Sequence, residues 1–127
     1  MSEISNYKWC ITDNIIKHGK KRIEHKDKFG LKGMLQEIKY EEIKRKQENI
    51  SYQLNYAHIH KSLFLHSCIK GNIEIIIFLV KVYFDILSLC DQLALRQNVY
   101  YGKYLLPKDK KLIKWYNDFI IPVFRFK

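Results

Sequence analysis

The stretch from residue 62 to residue 86 constrains the fold of this chain more than any other. It holds a short apolar run, a break at Gly71-Asn72, a longer apolar run and an Asp85-Ile86 exit. Ser62 is placed to cap a helix over 63–70. Gly71 stands where such a helix needs a left-handed residue at its end. Asn72 can turn the chain and cap the next helix, and Glu74 falls in that helix's first turn, where the macrodipole favours an acid. Residues 73–82 then read as a second helix, apolar nearly all round and therefore buried between neighbours. Ile75, Ile76, Leu79 and Val80 form the face expected to meet the first helix. β-branched isoleucines also suit a strand, so a strand over 73–80 is the competing reading.

Helical spacing extends to both sides of this unit. Leu31, Met34, Leu35 and Ile38 follow i, i+3, i+4, i+7 and predict a helix over 31–47. Glu41 with Arg45 and Glu42 with Lys46 would lace its wet face. Trp9, Cys10, Ile11, Ile15 and Ile16 fit one short amphipathic helix, with Thr12 or Asp13 capping a turn within it. The charged run 18–28, interrupted by Gly19, reads as a loop. Residues 51–60 suit a helix through Tyr52, Tyr56 and Ile59, or a strand by partial alternation.

Beyond residue 86, residues 89–98 read as one helix with Ala94 at a small position, and 99–106 as another. Pro107 ends that pattern. A further helix over 110–119 is expected to break at Pro122. The aromatic tail 123–127 would cover the end of a helix stack. The chain thus divides into an N-terminal segment with a basic loop, 1–28, and a helical domain with a C-terminal cap, 29–127.

Residues 62–86 resemble an ankyrin repeat, a unit of about 33 residues built from a turn and two antiparallel helices. Ser62 takes the place of the opening Thr, Phe64 the usual Leu, and Ser67 and Cys68 the two small packing residues. Gly71-Asn72 takes the turn, Glu74-Ile75-Ile76 the Glu-Ile-Val, Leu79-Val80 the paired leucines, and Asp85-Ile86 the exit. The chain departs from the pattern at Leu63, where Pro is usual, at Leu65, where His is usual, and at Tyr83, where Gly is usual.

The resemblance implies an all-α fold of stacked antiparallel helix pairs, that is, divergent ankyrin-like repeats. In its Ile-, Lys- and Tyr-rich style the chain is also similar to the multigene-family proteins of asfarviruses and, less closely, to poxvirus ankyrin proteins. That likeness implies a host-range or tropism factor that binds host proteins and modulates innate interferon responses. Tyr100, Tyr101, Trp115 and Arg125 are the candidate partner-binding residues, since Trp, Tyr and Arg are common anchors at interfaces.

The balance of charge opens a second reading. Lys and Arg total 23 against 13 Asp and Glu, a formal net charge of +10. Lys20, Lys21, Arg22, Lys26 and Lys28 could contact phosphates, which would make this a small basic nucleic-acid-binding protein. A/T-rich coding accounts for the same lysines. The chain also fits a portion of a longer repeat protein, because roughly three units are needed for a stable stack.

Chemistry finds little footing in the sequence. Five histidines and three cysteines lack the paired spacings of zinc sites. His58 and His60 would not share a helical face, and His66 and Cys68 point apart. No phosphate loop or nucleophile elbow occurs. The expectation is therefore no enzyme, no metal and no cofactor. Unpaired cysteines suit a reducing compartment. The apolar runs fall short of the roughly 20 residues of a spanning helix, and the N-terminus lacks a signal-peptide core. The expected location is the host cell cytoplasm, without membrane insertion.

Overall fold

A computed structural model of the chain describes residues 2–47, 56–85, 87 and 89–125, and no strand occurs among them. The helices are α1 Ser2–Glu24, α2 Lys28–Gln47, α3 Tyr56–Lys70, α4 Ile73–Asp85, α5 Leu89–Leu105 and α6 Lys110–Trp115. A π-helical turn, Tyr116–Ile120, leads into α7, Ile121–Arg125. None of these helices is long and apolar enough to cross a membrane.

α3 is the centre of the molecule. α1 packs on one part of its surface and α5 on another, and α4 folds back against it. α2 packs on α1 and reaches α4, while the π-helical turn and α7 close over α5. The expected stripe of α2 is the buried one: Leu31, Leu35 and Ile38 are at most 5% exposed. On α4, Ile75, Ile76, Leu79 and Val80 are buried as expected, whereas Ile73 and Ile77 keep 41% and 38% of their surface. The apolar circumference of α4 is therefore wet along one stripe.

Two of the connections are built alike. α3 ends in a Schellman turn, with Gly71 at φ +65°. The Gly71 N–H donates to the Cys68 carbonyl at 3.0 Å and the Asn72 N–H to the Ser67 carbonyl at 3.3 Å. Asn72 then caps α4, its Oδ1 accepting from the Ile75 N–H at 3.1 Å. α1 ends in the same pattern. Lys26 is left-handed at φ 57°, its N–H donates to Ile23, and the Asp27 N–H donates to the Arg22 carbonyl at 2.8 Å. Asp27 caps α2 by accepting from the Gly30 N–H at 2.9 Å. A third cap, Asp109, serves α6 by accepting from the N–H groups of Lys111 and Leu112.

Several local expectations are corrected. Ser62 is not a cap: it lies inside α3, which begins at Tyr56. No Gly or Pro interrupts 56–62, so the helix runs through the place where an ankyrin unit would turn. The basic run 18–28 is not a loop, because α1 continues to Glu24 and only three residues separate it from α2. Gly19 is buried where α1 crosses α3, and a Cβ there would lie 2.5 Å from Leu63. Thr12 and Asp13 lie within α1 rather than capping a turn. Residues 89–98 and 99–106 do not form two helices: α5 spans Leu89–Leu105 without a break.

Pro122 does not end the last helix. The π-helical turn precedes it, and the Ile121 N–H reaches back five residues to the Tyr116 carbonyl. That wider loop accommodates a ring that would clash in an α-helix, and Pro122 sits in the first turn of α7, where its missing N–H is tolerated. Tyr83, at the expected glycine position, is a buried residue of α4, and its hydroxyl donates to the Gln92 carbonyl of α5. Gln92 Nε2 in turn donates to the Leu87 carbonyl at 3.0 Å, holding the α4–α5 connection. Residues 51–55, Ile86 and the tail 126–127 lie outside the described residues, as does the Arg125 side chain.

Candidate functional site

Two interior polar side chains, His60 and Tyr116, bond from one helical element to another. His60 of α3 is 3% exposed, and its Nε2 lies 2.9 Å from the Leu79 carbonyl of α4. Burial pushes its pKa down to about 4, so the imidazole is neutral near pH 7 and donates through Nε2. Ser67 is fully buried and donates to the Phe64 carbonyl at 2.6 Å. Cys68 is fully buried beside the Tyr116 hydroxyl, and burial pushes its thiol up to about 12, which leaves little thiolate. Tyr116 donates to the Val99 carbonyl at 2.5 Å, its own pKa raised by burial. Gly102 of α5 makes room for this meeting, since a Cβ there would lie 2.9 Å from both Cys68 Sγ and Tyr116 Oη.

The side chains expected to contact phosphates lie along the end of α1, the α1–α2 turn and the start of α2. Arg22 is ion-paired to Asp27 at 2.7 Å and lines a depression with His18 and Gly30. Lys26 lies in a second depression with Lys70, Asn72 and Glu74. Lys28 lies in a third, with its ammonium 5.7 Å from the centre of the Phe29 ring. Lys20 acts on His66 of α3, and Lys21 is exposed. Asp27 is held below the usual carboxylate range by the Gly30 N–H and then by Arg22.

Among the expected partner-binding residues, Tyr100, Tyr101 and Trp115 differ in exposure. Tyr101 is 56% exposed, while Tyr100 and Trp115 are half-buried against the core. Trp115 packs edge-on to Tyr116 at 6.3 Å. The repeat-defining positions Ser67, Cys68, Gly71, Asn72, Ile75, Ile76 and Leu79 do converge, around the α3–α4 turn and the interface behind it. Asp85 is the last residue of α4 and is exposed. Among the described residues, no group of three or more His, Cys, Asp or Glu is arranged to hold a metal ion.

One surface feature was not anticipated. α2 and α4 enclose a groove of about 380 Å3 floored by Leu35, Val82 and Phe78 and edged by Lys28, Phe29, Lys32, Gln36, Lys81 and Asp85. Phe29 is 81% exposed, the most exposed large apolar side chain among the described residues. A signal for it does exist in the sequence: Phe29 stands off the Leu31, Leu35, Ile38 stripe, in the register that faces away from the core. No family model, curated protein or solved structure matches this chain.

Proposed function

We propose that this chain is a non-enzymatic helical scaffold whose stacked helix pairs bind another protein. By the likeness of its sequence to viral multigene families, it would serve as a host-range or tropism factor that tempers interferon signalling in the host cell. The observation that carries the binding role is the groove between α2 and α4, with Phe29 standing in water at its edge. A bare aromatic beside an apolar cleft is costly to leave in solvent and favourable to cover.

Stacked pairs are supported by the matching turns at Asp27 and Asn72 and by α3 packing between α1 and α5. The interval from Asp27 to Asn72 exceeds the roughly 33 residues of an ankyrin unit, so the likeness lies in helix pairing, not unit length. The nucleic-acid alternative draws less support, because Arg22 is already committed to an ion pair with Asp27. Affinity capture of the full chain from transfected cells tests the reading. A host protein recovered reproducibly, and lost when the groove is altered, is the expected result. Recovery of no reproducible partner would sink it.

A further inference from the structure

The rim of the α2–α4 groove is basic. Lys28 and Lys32 are one turn apart on α2, Lys81 faces them from α4, and Asp85 is the single carboxylate among the lining residues. None of the ion pairs among the described residues involves Lys32 or Lys81. The floor between them is apolar: Leu35 is 1% and Val82 5% exposed, and Phe78 is half-buried.

We infer that the groove takes an acidic, amphipathic peptide segment of a partner protein. One aromatic or aliphatic side chain of that segment lies between Phe29 and Phe78, and its carboxylates meet Lys28, Lys32 and Lys81. This rests on the protein-binding role proposed above and names the chemistry of the partner. Charge complementarity selects acids, because three ammonium groups edge the cleft against one carboxylate. The apolar floor favours a protein over a nucleic acid: an aliphatic side chain fills the cleft over Leu35 and Val82 better than a flat base does, and Asp85 repels phosphate. A second copy is a poor occupant, since two chains of net charge +10 repel each other.

The test is selection of short peptides from a random display library on the full chain, followed by anisotropy titration of the selected peptides. The expected peptides carry several Asp or Glu around one Phe, Trp or Leu. Phe29→Ala should weaken them about tenfold, as truncation of an interface anchor does. The double variant Lys32→Glu/Lys81→Glu should weaken them at least as much, and added salt should weaken the unaltered chain. Phe29, Lys32 and Lys81 are all exposed, so unchanged thermal unfolding of both variants is expected and is measured alongside.

Several results would overturn the inference. They are selection of no peptide, peptides without an acidic bias, or affinities that neither variant moves. Polyglutamate binding as tightly as the selected peptides would reduce the groove to charge alone. Oligothymidylate held through Phe29 would make it a nucleic-acid site, and a dimer that Phe29→Ala dissolves would make it a self-contact. Affinity capture separates this inference from the role it rests on. A partner retained by the Lys32→Glu/Lys81→Glu variant leaves protein binding standing and removes the groove from it.

Discussion

Asp27 and Asn72 hold the same station in two different turns. Each is the residue after a left-handed one, and each closes the preceding helix by donating its N–H to a carbonyl five residues back, Arg22 and Ser67. Each then opens the next helix by accepting the N–H three residues on, Gly30 at 2.9 Å and Ile75 at 3.1 Å. A single amino acid thus ends one helix and starts another. Removing the cap leaves a helix donor without its partner, so Asn72→Ala should cost about 1 kcal/mol, with Asn72→Asp close to neutral. Urea unfolding of the three proteins measures both; equal stability of the alanine and aspartate variants would contradict the cap.

The left-handed residues before these caps predict changes of opposite sign. Gly71 at φ +65° is unstrained, whereas Lys26 at φ 57° carries a Cβ in a region that disfavours one. Lys26→Gly should therefore stabilise the chain by up to about 1 kcal/mol, the relief of left-handed strain outweighing the entropy that glycine adds to the unfolded chain. Gly71→Ala should destabilise it by more, roughly 1–2 kcal/mol, because its Cβ would also lie 3.0 Å from Leu112 and Pro107. Thermal melts of the pair read both signs, and a stabilised Gly71→Ala variant would refute the turn geometry.

Gly102 gives a prediction about packing. A methyl group there would press on Cys68 Sγ and Tyr116 Oη at 2.9 Å, atoms that cannot leave because α3 and the π-helical turn hold them. Gly102→Ala should cost about 1–3 kcal/mol despite the higher helix propensity of alanine. Adding Cys68→Ala frees space on one side and should recover part of the loss, so the two changes should be non-additive. Strict additivity in a double-mutant cycle would separate the two sites.

The helix pair around Gly71 was legible in the sequence because its signals are local. A glycine, a following asparagine and an apolar run specify a turn and a cap without reference to the rest of the chain. The start of α3 was not legible: Ser62 looks like a cap by residue type, and only the burial of Ile59 and the bond from His60 to α4 carry the helix back to Tyr56. The run 18–28 misled for a related reason. Its charges suggest a wet loop, yet Ile23 and Gly19, two small-area contributions among many lysines, pin it to the core. The twin of the Gly71 turn was hidden because lysine stands in the glycine's place. The α2–α4 groove needs two helices distant in sequence, and periodicity within either one does not announce it.

His60 ties stability to pH. Its imidazole titrates near 6.5 in an open chain, but burial against α4 holds it to about 4 in the folded one, with the Leu79 carbonyl opposing that shift only in part. Between those values the unfolded chain binds the extra proton and the folded chain does not, so acid favours unfolding. The contribution is whole above about pH 6.5 and is lost as pH falls toward 4, a change of about 3 kcal/mol at 1.36 kcal/mol per unit. His66 adds to the same trend, its pKa lowered first by burial and then by Lys20. Urea unfolding across this window should show midpoints that fall with acid, and His60→Gln, which keeps a donor but cannot titrate there, should flatten most of the fall. Nitrogen-resolved NMR of the imidazole supplies the direct reading: a His60 resonance that titrates near 6.5 in the folded protein would show that the ring is not sealed between α3 and α4.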